Sequence, residues 1–182
     1  MSRFDHSLSA GLRNLAEGAQ VLIVDVDGVL LNNLPRLHHI CEIRDGHIEY
    51  KTEGADWEAY EREAPKDTPL PLCKMLRRLS MVYALIFLTA RSESQFQVST
   101  FIDAISPFIP GNEDWYYQFK DTSPQEEDAV EYKRRIVKKI QAAGLDVVAA
   151  IDDSLENINM FKQEGICVLR CHDTINEHSM EY

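Results

Sequence analysis

The chain has 182 residues, 45% of them apolar, with 19 Lys plus Arg against 30 Asp plus Glu and a formal net charge of −11. That length and apolar content support one domain with a real core and a small insertion. The acidic balance excludes a protein that coats long nucleic acid, which needs a basic face, although one basic pocket could still hold a nucleic-acid end. No apolar run approaches the roughly 20 residues of a membrane span, and the start of the chain, with Asp5, has no signal-peptide pattern. Cys41, Cys73, Cys167 and Cys171 lack close paired spacing. They read as reduced thiols of a cytoplasmic protein.

In chain order, Leu8, Leu12 and Leu15 predict a short amphipathic helix over 7–16, packed on a sheet edge. Val21 to Val24 then read as a buried parallel strand, followed by Asp25-Val26-Asp27-Gly28. Residues two apart on a strand share a side. Asp25 and Asp27 are therefore expected together just past its carboxyl end, with Gly28 turning the chain. Open α/β sheets bind ligands at that edge. Two adjacent carboxylates need a cation or a shared proton; the plainer alternative is a turn with solvated acids.

Asn32 to Pro35 read as a loop, and two alternating runs flanking Asp45-Gly46 predict a hairpin. Residues 32–70 thus form an excursion directly after the acidic pair. The adjacent His38 and His39 would face opposite sides of a strand, which suits surface residues better than metal ligands. Asp56 to Tyr60 suggest a helical turn or loop. Residues 70–79 predict a helix with Leu72, Met75, Leu76 and Leu79 on one face.

Val82 to Leu88 predict a second strand, ending in Thr89-Ala90-Arg91. Thr89 could bind a phosphoryl oxygen or cap a helix, and Arg91 could grip a phosphate bidentately or form a salt bridge. A helix over 94–105 follows, with Phe96, Val98, Phe101, Ile102 and Ile105 apolar. Trp115 to Phe119 form an aromatic strand candidate, a buried or edge strand rather than a base-stacking platform. Residues 129–143 predict a helix closed by Gly144. Val147 to Ile151 form another apolar strand ending in a second acidic pair, Asp152-Asp153. A helix from Ser154 to Glu164 and a last strand over 166–170 complete the pattern. Alternating strands and helices indicate an α/β fold with a central parallel sheet.

Asp25-Val26-Asp27-Gly28-Val29-Leu30 resembles motif I of the haloacid dehalogenase (HAD) superfamily of phosphotransferases. Thr89 resembles motif II, Lys133 motif III, and Asp152-Asp153 motif IV, in the order that superfamily requires. The resemblance spans residues 21–170 and implies a Rossmann-like HAD fold in which residues 32–70 are a small cap leaving an open site. Arg36, Thr89-Ala90-Arg91, Tyr132 to Ile136 and Ala150 to Asp153 look most like the 3′-phosphatase domain of phage-type polynucleotide kinases. That family commonly has Ser-Gly-Arg where this chain has Thr-Ala-Arg, and the segment between Arg36 and Pro71 is longer here. No Gly-x-x-x-x-Gly-Lys-Ser/Thr loop is present, which excludes a kinase half.

The resemblance implies a phosphohydrolase with Asp25 as nucleophile and Asp27 as general acid–base. It implies Mg²⁺ held by Asp25, the Asp27 main-chain carbonyl and Asp152, with Asp153 behind them. Thr89, Lys133, Arg36, Arg91 and the backbone at Gly28 would hold the substrate's phosphate. The implied substrate is the 3′-phosphate of a nucleic-acid end or a nucleotide. Rival readings are a 5′-nucleotidase or other small-molecule phosphatase, a phosphomutase, which would need a larger cap to exclude water, and a HAD-like binding module without activity. The sequence leaves oligomeric state open.

Overall fold

A computed structural model describes residues 6–44, 47–51, 53–109, 114–121 and 127–171. Ser7 caps the first helix, α1 (Leu8–Asn14), accepting from the Ala10 amide. β1 (Gln20–Val24) follows. The chain then makes its excursion through β2 (Leu31–Asn32), α2 (Leu34–Leu37), β3 (Cys41–Arg44), β4 (His47–Tyr50), α3 (Trp57–Arg62) and β5 (Thr68–Pro69). A 3₁₀ turn over Pro71–Met75 leads into α4 (Leu76–Ser80). The rest alternates: β6 (Ala84–Ser92), α5 (Gln95–Ile105), β7 (Trp115–Lys120), α6 (Ala129–Ala142), β8 (Asp146–Asp152), α7 (Leu155–Gln163) and β9 (Cys167–Arg170).

The five long-range strands form one sheet in the order β7-β6-β1-β8-β9, with every neighbouring pair parallel. The predicted α/β architecture is therefore present. Successive β1 residues serve opposite faces. Leu22 and Val24 join Leu85, Phe87, Phe101 and Ile105 in one apolar cluster, and Val21 and Ile23 join Ile86, Tyr132, Ile136, Val137, Ile140 and Phe161 in the other. Burial on both faces explains why β1 is an unbroken apolar run.

From β1 the chain passes to β6 and β7 on one side, then returns to β8 and β9 on the other. The strand order therefore reverses between β1 and β8. Such a switch point opens a crevice at the strands' carboxyl ends. Asp25 follows β1 there, its amide donating to the Ile151 carbonyl at 2.9 Å, and Asp152 ends β8 beside it.

The excursion is stitched at its root. Leu31 pairs with Pro69 and Asn32 with Thr68, antiparallel, and the Leu70 amide donates to the Leu30 carbonyl at 2.8 Å. Asn32 to Pro35 are thus a short strand and the start of a helix, correcting the predicted loop; Pro35 is tolerated in the first turn, where its missing N–H costs nothing. β3 and β4 form the expected antiparallel ladder, while its Asp45-Gly46 turn lies outside the described residues. The helix predicted over 70–79 is instead the 3₁₀ turn followed by α4, and Met75 is exposed while Cys73 and Leu76 are buried. The tight turn brings the Cys73 thiol to the Leu30 carbonyl at 3.2 Å, which fixes that register. Trp115, Tyr116 and Phe119 are buried on edge strand β7, the packing role expected of them. α1 lies on that edge: a Cβ at Gly11 would fall 2.6 Å from the Tyr116 ring.

Candidate active site

Eight charged side chains converge at the switch point and the excursion's root, and they sort into two clusters. The first is centred on Lys133. α6 begins at Asp128, whose carboxylate caps the Glu131 amide at 2.8 Å. Lys133 then lies in the helix's early turns on the face that carries Ile136, Val137 and Ile140. Its ammonium is 2.9 Å from Asp25 Oδ1 and 2.9 Å from Asp152 Oδ2. Its basic neighbours on α6 go elsewhere: Arg134 pairs with Glu131 and Glu164, and Arg135 with Asp121 and Glu127. The other oxygen of Asp152 accepts from the Ser154 amide at 3.0 Å and from Asn157 Nδ2 at 3.1 Å. Ser154 starts α7, though its hydroxyl makes no cap bond.

Carboxylate oxygens of Asp25, Asp152 and Asp153 all lie within 4.8 Å of one another. Three carboxylates share one ammonium, so negative charge is in excess. Burial, then the repulsion of Asp152 and Asp153, push the Asp25 carboxyl well above its usual range against the pull of Lys133. Burial and then Asp152 lift Asp153 to about 6. Lys133 is held above the ordinary lysine range, Asp25 and Asp152 outweighing its desolvation. Hard, anionic oxygen donors with uncompensated charge are the set a divalent cation such as Mg²⁺ prefers, so these residues fit one.

The second cluster holds Asp27. Its two oxygens accept from Arg91 Nε at 2.9 Å and Nη2 at 2.7 Å, and Arg36 Nη2 donates to Oδ1 at 2.7 Å. Both guanidiniums also reach Asp67. Burial would raise the Asp27 carboxyl, but Arg91, then Arg36, outweigh it and hold the group below the usual range. Asp27 is therefore a carboxylate in this arrangement. The Arg36 guanidinium also lies 3.8 Å over the Tyr60 ring and donates to the Tyr60 carbonyl at 3.2 Å.

The structure thus brings Asp25, Lys133, Asp152 and Asp153 together at one crevice, with Asp27 two residues on from Asp25. Asp153, expected behind the metal ligands, has its carboxylate among them, whereas the Asp27 carboxylate is turned to the arginines. Arg36 and Arg91, expected at the substrate's phosphate, are buried and engaged with Asp27 and Asp67. Thr89 is buried inside β6 and its hydroxyl accepts from the Arg91 amide at 3.2 Å; the helix cap is Ser94, so the capping alternative for Thr89 falls. Gly28 adopts φ +76, and a Cβ there would collide with the Asp153 carboxylate. Its amide is committed to the Leu31 carbonyl at 2.9 Å, which leaves it shaping the turn. Nothing in the sequence singles out Asp67, Tyr60 or Asn157 as site residues. Asp67 is 31 positions from Arg36 in a proline-framed connection, and no periodicity marks it.

No protein-family model matches the chain, and no curated protein matches it in sequence. Solved structures do match its fold. A haloacid dehalogenase-like hydrolase from Streptococcus pneumoniae superposes with a TM-score of 0.58 at 14% identity, over 84% of this chain and 84% of that one. A chain of the Pnkp1/Rnl/Hen1 RNA repair complex gives 0.52 at 14% identity, over 87% of this chain but 46% of that one. A phosphoserine phosphatase, solved as a phospho-aspartyl intermediate analogue, gives 0.51 at 14% identity, over 90% and 91%. By these superpositions the chain carries the fold of the haloacid dehalogenase-like hydrolases.

Proposed function

We propose that this protein is a Mg²⁺-dependent phosphohydrolase that works through an aspartyl-phosphate on Asp25. The observation that carries the reading is the Lys133 ammonium held 2.9 Å from both Asp25 and Asp152 at the switch point, with Asp27 two residues along. A phosphatase of the same fold, solved as a phospho-aspartyl intermediate analogue, supports the covalent step.

In the first half-reaction an Asp25 carboxylate oxygen attacks phosphorus. The bond from phosphorus to the ester oxygen breaks, and Asp27 gives its proton to that oxygen. In the second, Asp27 takes a proton from water, the water oxygen attacks phosphorus, and the bond to Asp25 breaks to release phosphate. Its arginines leave Asp27 ready for the base half. An approaching anionic phosphoryl group raises a nearby carboxyl's pKa, which favours loading it for the acid half. Lys133 offsets negative charge on Asp25 and the phosphoryl group, and Thr89 holds a phosphoryl oxygen. Asp25, Asp152 and Asp153, with the Asp27 main-chain carbonyl, would hold Mg²⁺, which when bound cancels repulsion between nucleophile and substrate.

As substrate we infer the 3′-phosphate of a nucleic-acid end or nucleotide. The match to a chain of an RNA repair complex, and the resemblance of Arg36 and Arg91 in sequence to the arginines of phage-type 3′-phosphatase domains, favour this class. Residues 32–70 act as a small cap that leaves the site open to a polymer end. The net charge of −11 favours a free mononucleotide instead. Phosphate release from 3′- and 5′-phosphorylated oligonucleotides and from 3′- and 5′-mononucleotides, with Mg²⁺ and with EDTA, tests both. Preference for the 3′-phosphorylated oligonucleotide is the expected result. Preference for 5′-mononucleotides would move the protein to nucleotide metabolism, and release unaffected by EDTA would overturn the metal assignment.

A further inference from the structure

Asp67 has a place in the second cluster that the reaction above does not use. It stands at the far root of the excursion, just before β5, and its side chain is 2% exposed. Arg36 stands at the near root on α2, and Arg91 comes from β6 in the sheet. Arg36 donates to Asp67 through Nε at 2.8 Å and Nη2 at 2.9 Å, and Arg91 through Nη2 at 2.7 Å. The same Nη2 atoms donate to Asp27 Oδ1, each at 2.7 Å. Two arginines and two aspartates therefore make a closed, charge-balanced ring. Closing the excursion alone would need only the Arg36–Asp67 pair. Arg91 is drawn in as well, and its Nη1 has no hydrogen-bond partner among the described residues. Its orientation therefore depends on the two carboxylates.

We propose that Asp67 is a positioning residue: it fixes the two guanidiniums from one side so that their other side holds the Asp27 carboxylate in place for proton transfer. This rests on the hydrolase reading above. Removing the Asp67 charge leaves two buried guanidiniums sharing one carboxylate. Asp27 is then pulled toward them, away from the ester oxygen. An alkoxide leaves phosphorus only with that proton, whereas p-nitrophenolate leaves without it, so the loss in the first half-reaction is selective for the leaving group.

The test is Asp67→Asn, measured two ways. In the first turnover, before the water step that also uses Asp27, alcohol release from an alkyl phosphate should slow on the order of 10²-fold, within the range general acid catalysis supplies, while the p-nitrophenolate burst slows about threefold or less. Asp67→Glu should restore part of the alkyl rate. A crystal structure of Asp67→Asn should find the Asp27 carboxylate displaced. If that variant does not fold, Asp67→Glu, which keeps the charge but shifts it by one methylene, takes its place, with the same selectivity expected at a smaller size. Equal slowing of the first turnover on both substrates, or an Asp27 that is not displaced, would overturn the proposal. A wild type inactive on every phosphomonoester would defeat the hydrolase reading, and the position of Asp27 in the variant would still decide the role of Asp67.

Discussion

Lys133 is buried beside three carboxylates, a place a lysine holds only because its partners hold it. Taking one partner from a buried ion pair costs about 3–5 kcal/mol. Lys133→Met should destabilise the metal-free protein by about that much, and added Mg²⁺ should recover part of the loss; denaturant melts with and without the ion check this. Asp153 gives the opposite sign. Its folded pKa of about 6 lies above the ordinary value of about 4. A carboxyl whose folded pKa is raised costs nothing below its unfolded value and costs most above its folded one. The penalty therefore grows from about pH 4 to about pH 6. Asp153→Asn should raise the melting temperature in EDTA above that window and leave it unchanged below. A difference independent of pH would contradict the electrostatic account of the cluster.

At the scale of elements, the excursion and α1 show what the sequence made legible. β1, β6 and β8 announce themselves as apolar runs ending in polar groups, because a parallel strand buries both faces and delivers its last residues to the open edge. Lys133 is legible only through the motif order. Periodicity does not separate it from Arg134 or Arg135; the difference is that Lys133 points into the crevice while they find carboxylates on the surface. Met75 and Phe96, members of the apolar sets of their helices, are exposed: a 3₁₀ turn changes the period before α4, and Phe96 sits in the first turn of α5. Asp67 is invisible in sequence because its meaning comes from Arg36 and Arg91, both remote along the chain. Gly11 marks how closely α1 approaches β7. Gly11→Leu should cost about 1–3 kcal/mol, the usual cost of overpacking, read as a lower denaturation midpoint with the catalytic rate unchanged. A variant as stable as the wild type would mean that α1 does not depend on that contact.

For the whole molecule, one sheet positions everything. β1 and β8 supply the carboxylates, α6 the ammonium, β6 an arginine, and the excursion the remaining members of the second cluster. No helix among the described residues is long and apolar enough to cross a membrane. Binding a cation to the folded state alone stabilises it by mass action. Mg²⁺ should therefore raise the melting temperature over EDTA, and the rise should shrink in Asp152→Asn; an equal rise in both proteins would place the ion elsewhere.

If Asp25 carries the phosphoryl group, the group can be trapped there. The protein is mixed with a radiolabelled phosphomonoester and Mg²⁺, quenched in acid within milliseconds and digested. Label is expected on the peptide containing Asp25, removed by hydroxylamine and missing from Asp25→Asn, whose turnover falls about 10³-fold or more while its fold is kept. Phosphate release without any labelled peptide, or label on another residue, would contradict it.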